Sequence, residues 1–349
     1  MDRYKIIQQL PDALLPWYHS HKRDLPWRRD KDPYHIWLSE IMLQQTRVEA
    51  VKGYYGRFLE NIPQIADLAK AEDDLLHKLW EGLGYYSRVR NLKIAAQKIM
   101  TEYHGVFPTT YSEVFALPGI GEYTAGAICS IAYNMKTPAV DGNVLRVVSR
   151  ITNDDAPIDQ ISTKRKVNNA LREIYPDEAG DFTQALMELG ATVCVPNGTP
   201  DCEICPCKTF CLAHKNGTEQ TLPVKSAKRP RRREKMTLFV MRCGDRYALQ
   251  KRPNKGLLAG LWQFPNVQGH LNIEESIKQV EQYGLQTKEI IRQVEKKHIF
   301  THIEWEMCGV YLEVENINDA FVWHTAEEVR QQAALPTAFR QFWEETTYV

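Results

Sequence analysis

Residues 225–235, KSAKRPRRREK, place seven Lys or Arg side chains and a proline in one short run that offers almost nothing to bury. Such a stretch is a linker signature, because cations without partners lose hydration in a core and proline interrupts regular backbone pairing. It divides a chain whose texture differs on its two sides. Before it, apolar residues recur at helical spacing in Ile41, Val48, Val51, Tyr55 and Phe58, and again in Leu75, Leu79 and Leu83, with stops at HGVFPTT and ALPGIGEY. After it come short β-rich runs, MTLFVMRC, YALQKR and WEMCGVYLEV, interleaved with the helical IEESIKQVEQYG and TAEEVRQQ. The expected fold class is therefore multidomain: an all-α domain over 1–223, a basic linker over 224–235 and an α/β domain over 236–349, without internal repeats.

The formal net charge is zero, so a nucleic-acid partner would have to be met by local basic patches. No run approaches the roughly eighteen uncharged apolar residues of a membrane span. The N-terminus, MDRYKIIQQLPDALLPW, lacks an apolar block with a small-residue cleavage site, so no membrane partner and a cytoplasmic location are expected. Five of the eight cysteines fall between Cys194 and Cys211, whereas Cys129, Cys243 and Cys308 stand alone. Without a secretion signal, that clustering argues for a metal site over disulfides. Cys194, Cys202, Cys205 and Cys211 are separated by seven, two and five residues, with Cys207 inside the last gap. Four thiolates on one loop suit tetrahedral zinc or a cubane iron–sulfur cluster, and spacing alone does not choose.

Two carboxylates stand in unusual settings. Glu40 is the only charged side chain between Ile36 and Thr46, among Trp37, Ile41, Met42 and Leu43 on a predicted helix. Buried there it would hold its proton and serve as a general acid; on the polar face it would be a solvated helix glutamate. Asp141 follows LPGIGEYTAG, in which Gly119 and Gly121 permit a tight turn whose bare amides can meet a phosphate. A plain N-cap also accounts for Asp141.

The cysteine loop resembles the 4Fe-4S loop of the endonuclease III and MutY glycosylase superfamily, with a first gap one residue longer here. LPGIGEYTAG followed by VDGNV resembles the superfamily's helix–hairpin–helix element and catalytic aspartate, and LPWRRDKDPYHIWLSEIMLQQTRVEAV resembles the signature segment of its adenine glycosylase branch. The resemblance implies an adenine-specific DNA glycosylase that flips its base out of duplex DNA containing adenine opposite 8-oxoguanine or guanine, working as a monomer with a 4Fe-4S cofactor on Cys194, Cys202, Cys205 and Cys211. It implies that Glu40 protonates adenine at N7, that Asp141 faces the sugar C1′, and that Tyr123 and Asn143 support them. Tyr123 stands where relatives with lyase activity carry lysine, which implies hydrolysis without a Schiff base. Trp27, Arg28, Leu43, Gln184 and Met187 match the adenine pocket; Gln45, Thr46, Leu83 and Tyr85, with Gly119 and Gly121 of the hairpin, match DNA contacts. Read without the resemblance, Leu83 and Tyr85 are core residues.

In the second domain, GLLAGLWQFPN resembles the MutT-like (Nudix-like) domain of the same branch, while HLNIEESIKQVEQYG lacks the carboxylates of a magnesium-binding Nudix helix. HIFTH resembles the loop that reads oxidised guanine, through Phe300, Thr301 and His302; its bland reading is a strand end with two exposed histidines. Three rival functions remain open at this level: an endonuclease-III-like lyase on damaged pyrimidines, a non-catalytic metal-stabilised DNA-binding protein, and Nudix hydrolysis of oxidised nucleotides by the second domain.

Overall fold

A computed structural model describes residues 3–227 and 230–348, so Lys228 and Arg229 of the basic run lie outside the described residues. The chain divides into two compact units, Met1–Lys70 with Asn91–Ala227, and Ala71–Arg90 with Lys228–Val349. Among the described residues, no helix is long and apolar enough to cross a membrane.

Helices run in order α1 (Leu10–His21), α2 (Pro33–Leu43), α3 (Val48–Asn61), α4 (Ile65–Lys70), α5 (Asp73–Leu79), α6 (Ser87–Glu102), α7 (Tyr111–Phe115), α8 (Glu122–Tyr133), α9 (Gly142–Thr152), α10 (Ile161–Arg172), α11 (Ala179–Thr192) and α12 (Leu212–Asn216). In the first unit α9 is the central element. Its Val144, Leu145, Val147, Val148 and Ile151 are buried against Leu10, Leu14, Phe182 and Leu186. Fully burying aliphatic side chains of this size stabilises by roughly 1.5–3 kcal/mol each, and α9 also buries two arginines. Those arginines, Arg146 and Arg150, are satisfied by carbonyls and by the cysteine loop.

The second unit is built on a sheet of β1 (Arg232–Cys243), β2 (Arg246–Lys251), β3 (Trp262–Gln263), β4 (Asn266–Gln268), β5 (Thr287–Ile299), β6 (Ile303–Val314) and β7 (Val322–Thr325). Its main path runs β3-β2-β1-β6-β5, with β4 on β1 and β7 on β2. Strands β1 and β6 pair in parallel, from Arg232 opposite Ile303 to Arg242 opposite Glu313. The run Leu238–Met241 is buried throughout because both faces are covered. Leu238 and Val240 pack with Phe339 and Phe342 of α15 (Thr337–Trp343), while Phe239 and Met241 pack with Val280 of α13 (Ile273–Gln282). Gly309 of β6 is required there, since a Cβ would stand 2.5 Å from the Phe342 ring. A further helix, α14 (Ala326–Gln332), opens with a Thr325–Glu328 capping box.

Three expectations are revised. The basic run ends as a connector before Arg232, because at the exposed end of β1 the side chains reach solvent while the backbone pairs. The series Leu75, Leu79, Leu83 is not one helical stripe: α5 stops at Leu79 and Leu75 is 41% exposed. Ala71–Arg90 also belongs with the second unit, where Asp74 pairs with Lys251 at 2.8 Å, Glu81 accepts from the Leu335 amide at 3.0 Å and Arg90 donates to the Ala259 carbonyl at 3.1 Å.

Candidate active site

Helix α2 carries Glu40 to a position only 5% exposed. The cause is local: Asp32 caps the helix through the Tyr34 amide at 2.8 Å, Pro33 opens it, and residues 36–42 are buried on every side, so Glu40 has no polar face to occupy. The Tyr123 hydroxyl of α8 donates to Glu40 Oε2 at 2.5 Å. Burial pushes the Glu40 carboxyl up to about 7; the Tyr123 bond and the nearby Arg28 pull it down, and Asp141 adds to the rise.

Asp141 is the N-cap of α9, so the bland account of it describes a real bond: Oδ1 accepts from the Val144 amide at 2.8 Å. Its second oxygen accepts from Asn143 Nδ2, also at 2.8 Å. Burial raises the Asp141 carboxyl above its ordinary value, against the opposing pull of the Val144 and Asn143 bonds and of Arg146. One carboxyl sits in an apolar setting with a single hydroxyl partner, and the other is anchored by amide donors. Burial raises both, but the donors that favour the anion are more numerous at Asp141, and a difference of this kind divides acid and anion roles between two carboxyls.

The first unit also places Trp27, Arg28, Leu43, Gln184 and Met187. Trp27 is buried edge-on to Tyr55 at 5.5 Å, Leu43, Gln184 and Met187 are half-buried, and the Tyr123 hydroxyl lies 4.0 Å from Met187 Sδ. Gln45 is exposed with φ +59°, a left-handed conformation uncommon for a side-chain-bearing residue, and Thr46 is half-buried. In the hairpin before α8, Gly119 has φ +78° and a Cβ there would lie 2.6 Å from Asn91 Cβ. Gly121, at φ −98° with open space around it, is held by no steric need for glycine.

In the second unit Leu83 is buried whereas Tyr85 is 47% exposed with φ +47°, so the core reading holds for the first and fails for the second. Tyr85 Oη lies 2.9 Å from Thr301 Oγ1, joining two segments far apart in sequence. Thr301 and His302 are exposed at the turn between β5 and β6, closed by the Phe300 amide donating to the Ile303 carbonyl at 2.8 Å. Phe300 packs edge-on against Trp305 and His298, and His298 is only half-buried, so the pair of exposed histidines expected at a simple strand end is not found.

Cys194, Cys202, Cys205 and Cys211 are half-buried and line one cavity between α9, α11 and the loop, together with Cys207, Arg150 and His214. Arg150 Nη1 reaches Cys194 Sγ at 3.3 Å, a donor suited to a thiolate. The donor set fits a thiolate-ligated metal centre. Cys207 differs from the other four in being 1% exposed and part of the apolar core. Arg146 connects this loop to the carboxyl pair, donating to the Cys194 carbonyl at 2.8 Å and to Asn143 Oδ1 at 2.9 Å.

Glu188 of α11 gave no sequence signal. It is 1% exposed and bonded to both Arg23 and Arg28, partners that no local pattern connects to it.

Residues 38–177 match the family model described as HhH-GPD superfamily base excision DNA repair protein, and residues 237–345 match the NUDIX domain model. An adenine DNA glycosylase of Rattus norvegicus is 35% identical over 94% of this chain and 76% of that protein. One from Buchnera aphidicola (subspecies Acyrthosiphon pisum) is 32% identical over 92% of this chain and 90% of its own length. The structure of a thermostable thymine-DNA glycosylase superposes with a TM-score of 0.54 at 26% identity, covering 61% of this chain and 97% of that one.

Proposed function

This chain belongs to the adenine DNA glycosylase family, and from that premise we propose that it hydrolyses the N-glycosidic bond of adenine opposite 8-oxoguanine or guanine in duplex DNA. The observation that carries the reading is the carboxyl pair: Glu40, whose carboxyl burial pushes up to about 7, beside Asp141, anchored by the Val144 and Asn143 donors. Adenine leaves poorly until protonated. Glu40 gives its proton to adenine N7, the C1′–N9 bond breaks with its electron pair going to the base, and positive charge develops on the sugar. Asp141 stabilises that oxocarbenium-like sugar or captures it covalently until water attacks C1′, the division of labour seen in glycoside hydrolysis. Tyr123 holds Glu40 in place and Asn143 holds Asp141.

Trp27, Arg28, Leu43, Gln184 and Met187 are assigned to the pocket for the flipped adenine, and extruding the base costs a few kcal/mol. The hairpin with Gly119 and Gly121, together with Gln45, Thr46, Leu83 and Tyr85, is assigned to the DNA, and Phe300, Thr301 and His302 to the oxidised guanine. Tyr85 bonded to Thr301 supports a joint role for these two assignments. Thr301→Ala is expected to leave single-turnover release at saturating enzyme within a few-fold of the parent while weakening binding of the 8-oxoguanine duplex, so that its preference over the guanine duplex in competition narrows about tenfold, the value of one hydrogen bond of ~1.4 kcal/mol. Unchanged preference in competition between the two duplexes contradicts the assignment.

Cys194, Cys202, Cys205 and Cys211 are assigned as ligands of a 4Fe-4S cluster, with Arg150 donating to Cys194. When bound, such a cluster cross-links the loop through four iron–thiolate bonds. Purified protein is expected to contain iron and acid-labile sulfide in equal amounts with broad visible absorbance, and Cys202→Ser to lower both iron content and Tm. Zinc without sulfide contradicts the assignment. Adenine release by purified protein, lost in Glu40→Gln, tests the function itself.

A further inference from the structure

The geometry points to Glu188 as a positioning residue for base release: it fixes Arg28 beside the proton donor and compensates that arginine's charge. The inference rests on Glu40 being the general acid. Glu188 Oε1 accepts from the Arg23 amide at 3.2 Å and Arg23 Nε at 2.6 Å. Oε2 accepts from Arg23 Nη2 at 2.9 Å and Arg28 Nη2 at 2.7 Å. Arg28 is further fixed by donating to the Arg23 carbonyl at 3.2 Å and by lying over the Tyr18 ring at 5.5 Å. Its side chain is 13% exposed, so water does little to screen it.

Among the described residues, the ionisable groups acting on Glu40 are Tyr123, Asp141 and Arg28, and of these Arg28 supplies the positive charge. That charge opposes retention of the proton the reaction needs. Those meeting the clamp itself are Tyr18, Arg23, Arg28 and, through Arg23, Glu49. The Glu188 carboxyl is ionised: burial works against its charge, but the bonds from Arg23 and Arg28 outweigh burial and hold it below the usual carboxylate range. A neutral side chain at 188 leaves Arg28 uncompensated, strengthens its pull on Glu40, and strips the proton from Glu40 at lower pH. A bare strut tying α11 to residues 23–28 would have no such effect on proton retention.

The test is single-turnover adenine release by the full chain across pH, comparing the parent, Glu188→Gln, Glu188→Asp, and Glu188→Gln combined with Arg28→Gln. For Glu188→Gln the fall in rate with rising pH is expected about one unit earlier, which costs about tenfold on that limb. Glu188→Asp recovers part of the shift, and the double variant returns the limb to the parent's position. A limb left in place, with rates scaled equally at every pH or unchanged, overturns the inference. Where Glu188→Gln does not fold, Arg28→Gln alone is expected to move the limb to higher pH, and an unmoved limb overturns the inference equally. Glu40→Gln runs alongside: retained release there removes the general-acid reading itself, whereas an inactive Glu40→Gln with an unmoved Glu188→Gln limb removes only the clamp.

Discussion

Glu40→Gln is expected to lower single-turnover adenine release by about 10²–10⁴-fold, the usual contribution of a positioned proton donor, while duplex binding stays within a few-fold. Glutamine keeps the side chain's shape and can still accept from Tyr123, so the loss would be that of the proton. In the parent, release should hold below pH 7 and decline above it, because burial raises the Glu40 carboxyl to about 7 and only the protonated form can act. The same shift carries a stability consequence with the same pH direction. A carboxyl whose folded-state pKa is raised stabilises the fold at pH below its unfolded value near 4.5, and that stabilisation is lost as pH rises through about 7. Above pH 7 the buried charge costs up to about 3 kcal/mol, so Glu40→Gln is expected to melt at higher temperature than the parent at pH 8 and to lose that advantage at pH 5. Equal Tm values at both pH values contradict the burial argument, and retained turnover contradicts the general-acid role.

Asp141→Asn is expected to cost roughly 10²–10³-fold in release, comparable to losing a preorganised charge from a developing transition state. This substitution separates the two accounts of Asp141. Asparagine caps helices about as well as aspartate, so a residue acting only as the α9 N-cap would lose a few tenths of a kcal/mol and no chemistry. Parent-like melting with abolished release supports the chemical role. Parent-like release leaves Asp141 a cap and nothing more. Raising the pH does not rescue the variant, because the missing group is an anion and not a proton.

Much of this site was legible because chemistry and spacing coincide. Gly119 and the turn before α8 were marked by glycine, and the structure explains the need through φ +78° and the Asn91 contact. Glu40 stood out as one charge in an apolar run, but its burial was not decidable from periodicity. Helix α2 is covered on all sides, so no apolar stripe marks an inner face. Glu188 was illegible for a related reason. In MELG it reads as an ordinary helix glutamate, and its meaning depends on Arg23 and Arg28, which are 165 and 160 residues away in sequence.

The second unit shows the same limit in its backbone. Strand β5, TKEIIRQVEKKHI, mixes charge with apolar residues and has no glycine or proline to mark its C-terminal end; its alternation becomes visible only when it pairs with β6 at the end of the sheet. That Ala71–Arg90 joins this unit depends on contacts distant in sequence, among them Asp74 with Lys251 and α5 against α14, which leave no composition or period to read. The Tyr85–Thr301 bond arises the same way.

The most direct test of the central claim is single-turnover release of free base by the intact chain from duplexes bearing adenine opposite 8-oxoguanine, guanine or thymine, with a damaged-pyrimidine duplex as comparator. Adenine is the expected product, fastest opposite 8-oxoguanine, slower opposite guanine and negligible opposite thymine. Release of the damaged pyrimidine in preference to adenine, or no release from any duplex, contradicts it.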